Sequence, residues 1–223
     1  MRLVQPLRKG CTGVNPKSLD AFDLSANNLV KYTDYGHWYV FTTGFREMAQ
    51  FNIGMYGNYL RVGIGFDISR TVKHASPNVG HNVANSFNKF KEFVLNNKSS
   101  FISAVYKILT QVSTYCPGSS FGVEYGASLL STNKYPITDL IDFIQQIAPK
   151  QIHNNYVFTH PNNGNSDWFF VGALLKPNDY IWPCSQNCSQ ATSGLGGSQI
   201  AINLLDIVKL VFTELFPYLG NSL

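Results

Sequence analysis

Residues Glu47–Ser69 read EMAQFNIGMYGNYLRVGIGFDIS, and the fold turns on this stretch. Two β-forming runs flank Gly57-Asn58, a dipeptide suited to a tight primed turn, so the segment reads as a β-hairpin. The turn sets the register: Tyr56 faces Tyr59, Met55 faces Leu60, Ile53 faces Val62 and Phe51 faces Ile64. Side chains alternate across a strand, so Phe51, Ile53, Met55, Leu60, Val62, Ile64, Phe66 and Ile68 share one face, which must meet a core. The other face pairs Gly54 with Arg61, Asn52 with Gly63 and Gln50 with Gly65. Glycine inside a strand marks a close approach to the backbone. Either another segment packs into these gaps, or a ligand does, with Arg61 projecting from a bare strand surface. The second reading has chemistry behind it, because Arg, Asn and Gln contact phosphates and base edges.

Upstream, Asn15-Pro16 opens a short helix with Leu19, Phe22, Leu29 and Val30 inward, and His37–Thr43 forms a strand beside the hairpin. Downstream, Arg70, Lys73 and His74 make a basic connection. Apolar spacings of three and four predict a helix over 81–95, and Ser99 or Ser100 caps a second one through Val112. Short strands are expected at 121–125 and 128–130, then a helix over 137–147 with Pro149 beyond its end. Residues 155–159 and 168–174 read as a strand pair. A long loop covers 176–197, and Ser198 caps a last helix that Pro217 stops. The expected architecture is α+β: a mixed, mainly antiparallel, curved sheet with packed helices in a single domain. Residues 1–36 form an irregular or helical N-terminal segment and 37–223 the main body, unless one domain covers 1–223.

The chain of 223 residues can bury a substantial core. Its charged share is only 13%, against about 25% usually, while aromatics reach 14%. A net charge of +4 and a pI of about 8.8 permit an anionic partner without demanding one. The start, MRLVQPLRKG, has no apolar signal core, so the cytoplasm is expected, with the four cysteines as free thiols. Cys184 and Cys188 lack a second pair at zinc spacing, which leaves metal binding there undecided. No run is long and apolar enough for a membrane span.

Catalytic constellations are sparse. A restriction-type metal site needs an Asp followed by Glu-x-Lys or Asp-x-Lys, and neither element occurs. His153-Asn154-Asn155 with His160-Pro161-Asn162 has the residue types of a ββα-metal nuclease, but a strand follows where a helix should. Cys116, His153 and Asp139 make a formal triad with no activating signature. The glycine-rich run 192–198 lacks the Lys-Ser/Thr of a phosphate loop. No metal and no cofactor is expected, and the lack of nuclease or NTPase motifs leans against catalysis by this chain without deciding it. The remaining signal is non-catalytic. Trp38, Tyr39, Tyr56 and Tyr59 could stack on bases, while Arg46, Gln50, Asn52, Arg61, Arg70 and Lys73 could contact DNA.

FNIGMYGNYLRVGIGFDIS, followed by NVANSFNKFKEFV and later by DWFFVGALL, resembles the N-terminal target-recognition regions of McrBC-type and related restriction proteins over about residues 37–175. The resemblance implies a DNA-binding specificity module of a restriction or defence system, reading a modified or flipped base. It also implies a separate AAA+ motor or nuclease subunit as partner. Two alternatives stay open: a type II restriction endonuclease with a divergent metal site, and a protein-interaction subunit docking through the C-terminal helix.

Overall fold

A computed structural model describes residues 25–33, 36–42, 49–56, 59–68, 79–153, 155–176 and 206–222. Strand β1 (Ser25–Thr33) pairs with β2 (Gly36–Thr42), β2 with β3 (Gln50–Tyr56), and β3 with β4 (Tyr59–Asp67). The β3–β4 register runs from Gln50 opposite Gly65 to Tyr56 opposite Tyr59, as the two-residue turn requires. β1 corrects the expectation of a helix running through Leu29 and Val30. Those two adjacent residues lie in an extended segment that caps the edge of the sheet against β2, so tertiary pairing prevails over local propensity.

Helix α1 (Val79–Asn96) is followed by α2 (Lys98–Tyr115). The cap of α2 is Asn97 rather than Ser99 or Ser100, and its side chain bonds back to the Phe93 carbonyl at 2.9 Å instead of capping forward. β5 (Ser120–Tyr125) and β6 (Ser128–Ser131) form a hairpin, and α3 (Ile137–Gln146) follows. Pro149 does not simply follow a helix but sits in β7 (Ala148–Ile152), which pairs only with β8 (Asn155–His160) and so tolerates a proline. β9 (Gly164–Ser166) turns back onto β8, and β10 (Trp168–Leu175) joins the main sheet. The expected pairing of 155–159 with 168–174 is therefore not formed. WFFVGALL is a continuous apolar run, and such a run suits a central strand covered on both faces. Helix α4 covers 206–215 and passes into a 3-10 segment, Phe216–Ser222.

Two antiparallel sheets result, ordered β1-β2-β3-β4-β10-β5-β6 and β7-β8-β9. With the helices they make the α+β domain that the pattern predicted. Phe51, Ile53, Leu60, Val62, Ile64, Phe66 and Ile68 enter one core with the inward residues of all four helices. Phe66, Phe87, Phe90 and Phe169 form its aromatic centre, with ring centroids 5.0–6.2 Å apart. The Tyr125 hydroxyl lies 2.8 Å from the Phe158 carbonyl and 2.7 Å from that of Gly164, joining the small sheet to the large one. The apolar side of α4 is occupied internally, with Phe212 4.2 Å from Phe51. No helix of the described residues is long and apolar enough to cross a membrane.

β4 and β10 approach unusually closely at Gly63 and Gly172, which face each other. A Cβ on either would lie 2.6 Å from the other's Cα, closer than real Cβ atoms come. Gly63→Val is therefore expected to force the central strands apart and to destabilise by ~3 kcal/mol or more, the upper end of overpacking costs. Urea unfolding checks this; a near-normal midpoint would mean that the strands can separate freely.

Candidate functional site

The sheet face opposite the core is built from the residues that alternate with it. Asn52, Gly63, Gly172 and Gly122 form one row across β3, β4, β10 and β5, and Gln50, Gly65, Phe170 and Glu124 form another. The glycine gaps are filled from within the chain. The Trp168 ring lies over Gly65, 2.6 Å from where a Cβ would stand, and the Phe170 ring reaches within 3.0 Å of the same point on Gly63. Arg61 does not project from a bare surface. It is 0% exposed, as is Asn52, and Gln50 is 3% exposed.

The buried Arg61 is held by a carboxylate, an amide oxygen and two aromatic rings. Its Nη1 forms an ion pair with the Glu124 carboxylate, and Nε donates to Asn52 Oδ1 at 3.0 Å. The guanidinium carbon stands 4.7 Å from the ring centroids of both Trp168 and Phe170, within cation–π range. Tyr59 donates its hydroxyl to the other Glu124 oxygen. Burial pushes the Tyr59 phenol well above its ordinary 10.0. The Glu124 charge and hydrogen bond act in the same direction, and Arg61 opposes them. Accepting from Arg61 fixes the Asn52 amide, so Nδ2 is its remaining donor. That atom and Gln50 Nε2 are buried without a hydrogen-bond partner among the described residues. The face thus holds a fixed cation, two rings and two amide donors with unused capacity.

Gln50, Asn52, Arg61 and Tyr59 are brought together here. Trp38 is registered opposite Gly54, Tyr39 opposite Ile53 and Tyr56 opposite Tyr59. Arg46, Arg70, Lys73, Cys184, Cys188 and the run 192–198 lie outside the described residues. Glu124, Trp168 and Phe170 escaped the sequence reading. The signal for Glu124 was the alternation in SFGVEY, which puts Ser120, Gly122 and Glu124 on the face opposite Phe121, Val123 and Tyr125. Elsewhere, the Cys116 thiol is buried and pushed up to about 11 by desolvation, the opposite of an activated nucleophile. His153 is exposed at a turn with φ 56°, and His160 is stacked on Phe143 at 4.5 Å. Among the described residues no three His, Cys, Asp or Glu side chains gather as a metal site. Comparison of the chain with protein-family models, curated proteins and solved structures found no match.

Two outcomes follow from the cluster. Glu124→Gln leaves the Arg61 charge without its counter-charge and is expected to cost ~3–5 kcal/mol. Replacing both partners, Arg61→Met with Glu124→Leu, should cost far less, because no buried charge remains; denaturant unfolding of the two variants beside wild type makes the comparison. The Tyr59 proton is held more tightly in the folded chain than in the unfolded one. Its contribution to stability is complete below pH 10 and is lost as pH rises beyond it. Tyr59→Phe should therefore lose less stability than wild type between about pH 9 and pH 11, read by urea unfolding at both.

Proposed function

We propose that the chain is a DNA-binding specificity module of a restriction or defence system, acting in the cytoplasm with a separate AAA+ motor or nuclease subunit. The observation that carries this reading is the pair of buried, unpartnered amide donors, Gln50 Nε2 and Asn52 Nδ2, beside the Trp168 and Phe170 rings on a glycine-lined face. Amide side chains read adenine-type edges and aromatic faces stack on bases. A face this deeply buried admits a base only when its cover parts, which suits an extruded or modified base better than the edge of an intact duplex.

Roles divide accordingly. Gln50 and Asn52 read the base, and Arg61 is a positioning residue because Glu124 and Asn52 already hold it. Arg46, Arg70 and Lys73 carry the phosphates, and Trp38 and Tyr56 are the candidate stacking rings, whereas Tyr39 is registered opposite the core residue Ile53, on the other face of the sheet. The net charge of +4 is of the sign this needs.

Binding to unmodified and base-modified duplexes across a salt series tests the reading. Affinity should fall steeply as salt rises and should favour modified or mismatched DNA, with Asn52→Leu lowering that preference. Absence of binding at about 50 mM salt, where phosphate contacts are strong, would refute it. Mg²⁺ or Mn²⁺ should produce no cutting. Cleavage abolished by Asp67→Ala in a folded protein would favour the endonuclease instead.

A further inference from the structure

A second polar feature lies away from the arginine cluster, where α3, β6 and the β8–β9 turn meet. It is a cleft of about 420 Å³, and no lysine or arginine lines it. Asp139 and Asp142 stand on its α3 wall, three residues apart and so on one helix face. Both are exposed, and neither has a cationic partner within 4 Å among the described residues. Tyr135, 42% exposed, offers a ring at the rim.

The fourth element is His160, which also lines the cleft yet is only 6% exposed. Its Nδ1 accepts the Asn162 backbone N–H at 3.1 Å, so the neutral ring carries its proton on Nε2. That Nε2–H is buried and has no partner. Stacking on Phe143 holds the ring in place. The cleft therefore presents two carboxylates and an aromatic face, and one of its lining residues, His160, holds an unused buried donor. The complementary ligand has a cation, a planar or apolar stem and a nearby hydrogen-bond acceptor.

We propose that this cleft docks an arginine side chain of a partner polypeptide, its guanidinium between Asp139 and Asp142 and a backbone carbonyl of the same segment accepting from His160. A guanidinium is planar, forks onto carboxylates and stacks on tyrosine, so arginine fits better than lysine. Charge complementarity favours this occupant. An acidic cleft on a chain of net charge +4 repels phosphates and attracts a basic segment. The site is independent of the DNA-recognition reading, and the two fail separately.

The test uses the full chain and N-acetyl-arginine N-methylamide, which carries the guanidinium and two amide carbonyls. In ¹⁵N correlation spectra the expected result is saturable shifts confined to 135–146 and 160–163 below about 10 mM. The lysine analogue should bind more weakly, and the neutral isostere N-acetyl-citrulline N-methylamide at least tenfold more weakly. Asp139→Asn with Asp142→Asn should abolish saturation while leaving the melting temperature and any DNA binding unchanged. Equal shifts with the citrulline analogue, no saturation below that concentration, or undiminished binding by the double variant would each overturn the proposal.

Discussion

The face-to-face approach of Gly63 and Gly172 governs the rest of the structure. Where two facing residues carry no Cβ, β4 and β10 can close to a separation that a side chain at either position would forbid. β10 is the strand that ties the four N-terminal strands to the β5–β6 hairpin. The same lack of side chains leaves room for the tip of the Phe170 ring, as Gly65 does for that of Trp168, and those rings are two walls of the Arg61 site. One steric concession thus sets both the strand order and the surroundings of the buried cation.

A buried ion pair is seldom a source of net stability, since desolvation offsets most of the attraction. What the Arg61–Glu124 pair supplies is selectivity among arrangements. Glu124 satisfies Arg61 only when β5 is placed beside β10 in the observed register, and a slip of β5 by one residue would turn Glu124 toward the apolar core and leave Arg61 without its counter-charge. Tyr59 and Asn52 complete the carboxylate and guanidinium on the hairpin side. Gln50 and Asn52 keep unused amide capacity within this network, and functional sites are where such exceptions gather.

The hairpin was legible because its information is local: a two-residue turn fixes every pair from Gln50–Gly65 to Tyr56–Tyr59. The helices were legible from apolar spacing, with starts misplaced where Asn97 took a cap position ahead of two serines. β10 was recognised as a strand, but its neighbours were not. Nothing in WFFVGALL says that β4 and β5 lie on either side, because that choice depends on residues 63 and 122 meeting it. The site divided along the same line. Gln50, Asn52 and Arg61 could be assigned to one face from alternation alone. Glu124 could not be joined to them, being 63 positions away from Arg61 in sequence, and so the face looked open when it was filled.

The placement of β10 has a consequence for the nascent chain. The edge of β4 is synthesised about 110 residues ahead of the strand that covers it, as the Val62–Ala173 pairing shows. Until then the completed hairpin presents unpaired amides and carbonyls along an apolar strand, a template for pairing with another chain. In the finished sheet the glycine pair welcomes only a strand that is itself bare at the matching position. A foreign strand with an ordinary side chain there would meet backbone at the native spacing, so it can pair with β4 only at a wider separation than β10 reaches.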